Sequence, residues 1–273
     1  MTAPKIAMIG TGNMGSSLIG GLIKNGFEPT TIIACDVDAA KLNQLQNDFG
    51  INIASNDEAV AEADVVIFAV KPQYFAEVAK PLATSLQRKK PLVISIAAGI
   101  NIETIAEWIG NEIAIVRCMP NTPALIGYGA SGLYANSFVN AEQHSLTESI
   151  LKAVGIVVWV EKENLIDTIT ALSGSGPAYF FLILETLQKT GVELGLSEEV
   201  AKKLSLQTAL GATQMAMQSE KSLDELRKNV TSPGGTTEKA VSVLEDHNIR
   251  EIFRKAMHGA KIRSEELANL NRK

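Results

Sequence analysis

Little in this chain could cross-link it. Cys35 and Cys118 are the 2 cysteines among 273 residues, and both fall in apolar runs of strand length. They form neither a disulfide framework nor a CxxC metal pair, which fits a reducing compartment. An excess of one charge is also missing. A net charge of −5 gives no electrostatic reason to engage nucleic acid or an anionic membrane. Long hydrophobic runs are missing too, since the longest, such as Ala178–Leu184, reach about a third of a membrane span. Lys5 leads straight into a short strand with no long apolar segment before it. A cytoplasmic, soluble protein is expected. His144, His247 and His258 lie in polar, helix-like contexts, so surface histidines are expected and no metal site. No repeat or low-complexity segment interrupts the chain.

What is present is an ordinary globular composition, 46% hydrophobic and 20% charged, on a chain long enough for two domains and a large core. Lys5–Ile9, Ile32–Cys35, Val65–Val70 and Leu92–Ala97 are short apolar runs separated by stretches with helical spacing. This alternation predicts a doubly wound parallel sheet of Rossmann type, buried on both faces. Ile113–Cys118, Ala130–Tyr134 and Gly155–Val160 read as further strands. From Leu165 onwards the spacing is helical. The polar stretch Glu161–Asn164 divides a dinucleotide-binding domain, residues 1–160, from an all-α domain, residues 161–273. Leu204–Met217 is apolar or small on nearly every face, which predicts a helix buried all round and, in so small a domain, a subunit interface.

Gly10-Thr11-Gly12-Asn13-Met14-Gly15 has the form GxGxxG. It follows a strand and opens a helix, the context in which this pattern binds a dinucleotide. Gly10 permits the tight turn, Gly12 lets the pyrophosphate reach the backbone, and Gly15 lets helix and strand pack closely. Asp36 ends the second strand, 21 residues after Gly15. An acidic residue there commonly accepts from the ribose hydroxyls and disfavours a 2′-phosphate, which leans towards NADH. Asp36 or Asp38 as a cap of the next helix is the competing reading. Ala69-Val70-Lys71-Pro72 ends another strand, where Lys71 would approach the cofactor's phosphates or ribose. Ala97 and Ala98 would let the nicotinamide ribose pass, and Asn121, in the loop Cys118–Pro123, offers a donor and an acceptor near the nicotinamide edge.

The helical half carries two small-residue motifs. Ser173-Gly174-Ser175-Gly176-Pro177-Ala178-Tyr179 precedes an apolar helix whose first turn suits Pro177. In Lys228–Ala240, Ser232, Pro233, Gly234, Gly235, Thr236 and Thr237 lead into another helix. A Gly-Gly turn at a helix start aims several N–H groups at one spot that favours anions, so a carboxylate cradle is expected here. A plain turn with a threonine N-cap is the alternative.

The set GTGNMG, AVKP, MPNTP, SGSGPAY and VTSPGGTT, spread from Gly10 to Thr237, resembles the pyrroline-5-carboxylate reductases over essentially the full length. The last two motifs are specific to that family. The resemblance implies a Rossmann domain, and a helical domain that interleaves into a homodimer and often assembles further, typically to a decamer. It implies a cofactor along Gly10–Gly15, Asn56, Ala69–Lys71 and Ala97. The carboxylate of 1-pyrroline-5-carboxylate would rest on Ser232–Thr237, near the nicotinamide, with Glu163, Glu220 and Asn229 close to substrate or cofactor. NADPH is the family's usual donor, and Asp36 departs from the small hydroxyl residues often found at its position, which points to NADH. Thr237 would hydrogen-bond the ring nitrogen and assist its protonation, and no histidine is needed. A β-hydroxyacid or 6-phosphogluconate-type dehydrogenase shares the GxGxMG start, but its catalytic lysine has no counterpart in Pro177–Leu187. A dinucleotide sensor without turnover is opposed by the intact SPGGTT loop.

Overall fold

The computed structural model describes residues 3–270. The first stretch of chain alternates strands and helices: β1 (Ile6–Ile9), α1 (Asn13–Lys24), β2 (Ile32–Cys35), α2 (Ala39–Phe49), β3 (Asn52–Ile53), α3 (Asn56–Glu62), β4 (Val65–Phe68), α4 (Pro72–Ala79), α5 (Ala83–Lys89), β5 (Leu92–Ser95) and α6 (Ile102–Ile109). It continues through β6 (Ile115–Met119), β7 (Gly129–Ala135), α7 (Ala141–Lys152), β8 (Gly155–Trp159) and the short α8 (Leu165–Ile169). Helices follow: α9 (Gly176–Glu193), α10 (Glu198–Gln218), α11 (Leu223–Asn229), α12 (Thr236–Asp246) and α13 (Ile249–Leu270). The chain forms two compact units, Met1–Ser175 with Gly259–Lys273, and Gly176–His258.

In the first unit the strands form one sheet in the order β3-β2-β1-β4-β5-β6-β7-β8. From β3 to β6 every neighbouring pair is parallel. The chain runs outwards from β1 to one edge, returns, and continues from β4 on β1's other side, so the order reverses between β1 and β4. Successive residues of a strand point to opposite faces, and both faces are covered. Ile6 and Met8 of β1 pack with Leu18, Ile19 and Leu22 of α1, while Ala7 and Ile9 pack with Val60, Phe68 and Phe75. That is why these strands read as unbroken apolar runs.

The sheet departs from the expected all-parallel form at one edge. β7 runs antiparallel to β6, and β8 then pairs parallel to β7. The connection 120–128 is too short for a parallel crossover, which takes about a dozen residues or more, so the strand must turn back. β3, of 2 residues, gave no apolar run to read.

The polar stretch Glu161–Asn164 lies within the first unit rather than at its edge, and the division falls after Ser175. The reason is α8, which a buried ionic cluster fixes to the sheet. Arg117 of β6 donates to Asp167 at 3.2 Å, and Asp167 accepts from the Ser264 hydroxyl at 2.7 Å. Ser264 and Leu267, the latter packed against Gly99, place the end of α13 in the first unit. In the second unit, α9 and α10 pack on each other, α11 opens with a Ser222–Glu225 capping box, and α12 follows the SPGG turn. Among the described residues no helix is long and apolar enough to cross a membrane.

Candidate active site

The first unit carries a cleft of about 610 Å³ at the carboxyl ends of β1, β2 and β4, where the strand order reverses. Open parallel sheets bind ligands in such a crevice. Gly10, Gly12, Asp36, Asn56, Ala69, Val70 and Lys71 line it. Gly10 sits at φ +95°, and a Cβ on Gly15 would lie 2.3 Å from the Gly10 carbonyl oxygen, so both positions require glycine. A Cβ on Gly12 would meet no protein atom within 4 Å, which leaves open the space a pyrophosphate needs beside the start of α1. Asn13 and Met14 form the first turn of α1. Pro72 opens α4 with Lys71 as its exposed N-cap, and Asn56 opens α3 behind the Ser55 cap. Ala97 is buried beyond the end of β5.

Asp36 is tied into the glycine loop. Its Oδ2 accepts from the Thr11 N–H at 2.6 Å and from the Thr11 hydroxyl at 2.8 Å. Its Oδ1 accepts from the Asp38 N–H at 3.1 Å. Burial raises its pKa, but the hydrogen bonds from Thr11, Asp38 and Val37 outweigh burial and hold the carboxyl below its ordinary 3.8. The cap of α2 is Asp38, which accepts from the Lys41 N–H at 3.1 Å. Cys35, beside Asp36, is pushed up to about 12 by burial, with Glu58 and Asp36 adding to the effect, so its thiol stays protonated.

Two other predicted residues are engaged as braces. Asn121 donates to the Ser173 carbonyl at 3.0 Å and accepts from the Ala130 N–H at 2.9 Å, joining the loop after β6 to the turn before α9. Glu163 Oε1 accepts from the Ile102 N–H at 2.7 Å and from Arg117 at 3.2 Å, fixing the start of α6. Sequence reading missed Arg117, because one arginine inside an apolar strand has no local signature; its carboxylates lie 46 and 50 residues away. It also missed Tyr74, Glu77 and Val78, which line the cleft from α4. Their i, i+3, i+4 spacing on the helix after the AVKP turn was the available signal.

In the second unit Gly234 adopts φ +71°, a conformation glycine takes without strain. The Gly235 N–H closes a turn on the Ser232 carbonyl at 3.0 Å. Gly235, not a threonine, is the N-cap of α12, and Thr236 and Thr237 are its first two helical residues. The first N–H groups of a helix have no intrahelical acceptor, so those of Thr236 and Thr237 are offered outwards beside the exposed side chains of Ser232 and Thr237. Glu238 Oε2 already accepts from the Gly234 N–H at 2.7 Å, so this turn binds a carboxylate of its own chain. The glutamate three residues past the N-cap, the spacing of a capping box, was the signal for that contact. Asn229 ends α11, and Glu220 sits in the exposed turn before it.

Two family models match the chain. Residues 163–267 match the family model described as pyrroline-5-carboxylate reductase dimerisation, and residues 5–99 match that described as NADP oxidoreductase coenzyme F420-dependent. The chain is 48% identical over 269 residues to the pyrroline-5-carboxylate reductase of Pseudomonas aeruginosa, covering 98% of each. A solved pyrroline-5-carboxylate reductase from Coxiella burnetii matches with a TM-score of 0.93 at 45% identity, covering 98% of this chain and 99% of that one. The Plasmodium falciparum pyrroline carboxylate reductase solved with NADP bound matches with a TM-score of 0.88 at 32% identity, over 98% and 99% of the two chains. With a glycine-loop cleft in one unit, an SPGGTT helix start in the other, and relatives this similar along the whole length, the chain belongs to the pyrroline-5-carboxylate reductase family.

Proposed function

We propose that this chain reduces the ring C=N of 1-pyrroline-5-carboxylate with NAD(P)H, giving L-proline in the last step of proline biosynthesis. The observation that carries the reading is the Ser232–Thr237 turn at the start of α12, with its outward N–H groups and a carboxylate already seated on Gly234. The outward N–H groups of Thr236 and Thr237, helped by the Ser232 hydroxyl, hold the substrate carboxylate there, while Gly234 and Gly235 shape the turn, their own N–H groups being engaged by Glu238 and the Ser232 carbonyl. The Thr237 hydroxyl faces the ring nitrogen and assists its protonation, directly or through water. A protonated cyclic imine is already a good hydride acceptor, so positioning supplies most of the acceleration and no further acid is required.

A bound reduced nicotinamide supplies the hydride. Gly10, Gly12 and the first turn of α1 hold its pyrophosphate, with Asn56, Ala69, Val70 and Lys71 along the cleft. Asp36 fixes the loop through Thr11 and disfavours a 2′-phosphate by its charge, so the chain leans to NADH although NADPH is the family's usual donor. Asn121 and Glu163 act as braces for the neighbouring loops, and Glu220 and Asn229 border the substrate turn. Two copies pair through the apolar faces of α9 and α10, and such dimers assemble further, to a decamer as the upper state. The compartment is the cytoplasm.

The test is a nicotinamide absorbance assay with 1-pyrroline-5-carboxylate, 3-hydroxyisobutyrate and 6-phosphogluconate, each with both cofactors. Turnover of the first alone is expected. Turnover of either hydroxyacid instead would replace this reading, and binding without any turnover would make the chain a sensor. In the same assay Asp36→Ser is expected to raise the NADPH/NADH ratio of kcat/KM.

A further inference from the structure

The cofactor cleft carries negative charge that Asp36 does not account for alone. Both Asp36 oxygens are engaged inside the chain, Oδ2 twice by Thr11 and Oδ1 by Asp38. A carboxylate so bonded keeps its charge but has little acceptor capacity left for ribose hydroxyls. It therefore discriminates through its field rather than through direct reading. Glu77 of α4 lines the same cleft on one helix face with Tyr74 and Val78. Its side chain is exposed, and no ion pair within the described residues neutralises it. The one cation among the lining residues is Lys71.

We infer that Glu77 is a second determinant of cofactor choice, acting with Asp36 against the 2′-phosphate of NADPH. This rests on the reading that the cleft takes the adenosine end of the dinucleotide. Two carboxylates face one ammonium there. A 2′-phosphate adds about −1.5 to −2 of charge at neutral pH, whereas the 2′-hydroxyl of NADH adds none. The difference acts through solvent, so it falls off beyond a Debye length, about 8 Å at physiological ionic strength, and added salt shortens that length and weakens it.

The test is a titration of the full chain with NADH and with NADPH, followed by the fluorescence of the reduced nicotinamide, at about 0.05 M and about 0.5 M salt. Glu77→Gln is expected to tighten NADPH by about 3- to 10-fold and to leave NADH within about 2-fold. In the unaltered protein, added salt is expected to narrow the gap between the two cofactors, and less so in the variant. Because Glu77 is exposed and outside the core, the fold should be unaffected, and the salt series needs no variant at all. An unchanged NADPH/NADH ratio in Glu77→Gln, or a salt-independent ratio in the unaltered protein, overturns the role of Glu77 while leaving the cleft as the cofactor site. Failure of the unaltered protein to bind either dinucleotide overturns the cleft reading and the inference with it.

Discussion

The two units treat apolar side chains in opposite ways. In the first, Phe68, Phe75, Ile67 and Met8 are fully buried, and every residue of β1, β2, β4 and β5 is closed to solvent. In the second, Phe181 is 66% exposed, Leu210 55% and Met217 74%, although the helices carrying them are regular and long. The same hydrophobic drive acts on both. The central strands of the sheet, covered by helices on two faces, remove their apolar surface from water within one chain, whereas the edge strand β8 leaves Ile156 and Val158 exposed. The helices of the second unit do not bury theirs, and so large an exposed apolar surface marks an interaction site. The core of the first unit is therefore completed by one chain, whereas the second unit's sequence is written for more than one copy, in line with the dimerisation family it matches.

The largest expected effect breaks that comparison at its weaker side. Leu210→Glu places a charge on the exposed apolar face of α10. It is expected to dissociate the assembly and to lower activity by about 100-fold or more, as read by light scattering and the reductase assay. Retained cofactor fluorescence would show that the first unit stands alone, whereas unchanged mass and activity would mean that the face is free in the working protein.

Thr237→Ala comes next. Loss of a hydrogen bond that strengthens in the transition state is expected to lower kcat/KM by about ten- to a thousand-fold, with cofactor binding unchanged. Full activity would remove Thr237 from the chemistry. On the other unit, Gly15→Ala forces a Cβ against the Gly10 carbonyl, and overpacking of that kind costs about 1–3 kcal/mol. A lower Tm with weakened binding of both cofactors is expected, and a native Tm with native binding would contradict the tight loop.

The smallest effect concerns Asp36 and pH. Its carboxyl is held below 3.8 in the folded protein, so it contributes stability above that value, and the contribution is lost as pH falls through and below it. The difference in Tm between the unaltered protein and Asp36→Asn is expected to be full at pH 7 and to close in strongly acidic solution. A gap that stays constant with pH would show that the charge is not what ties Asp36 to Thr11.

Much of the first unit was legible because its signals are local. A buried parallel strand announces itself as an apolar run, and the glycines of residues 10–15 answer to sterics that a few neighbouring residues create. The turn at Gly234 was legible for the same reason. Illegible were the contacts that join distant segments. Nothing near Glu163 in the sequence points to Arg117 or to the start of α6, and Asn121 offers the same amide whether it reads a ligand or braces Ser173. The antiparallel β7 was hidden in the length of its connection rather than in its composition. Asp38, not Asp36, proved to be the cap, a choice that two neighbouring aspartates leave open until the backbone is in place.

The sequence by itself determined the strand-helix alternation, the glycine loop, the turn at Gly234 and the helix through Leu204–Met217, although that helix, expected to be buried all round, leaves Leu204, Leu210 and Met217 exposed in the single chain. Each follows from periodicity or from backbone freedom within a few residues, where chain connectivity already fixes the neighbours. The tertiary structure alone decided which polar groups are already spent: Asp36 on Thr11, Glu163 on Arg117 and Ile102, and Glu238 on Gly234. Hydrogen bonds act over about 3 Å and are blind to sequence distance, so only the folded chain shows which donors and acceptors remain for a ligand.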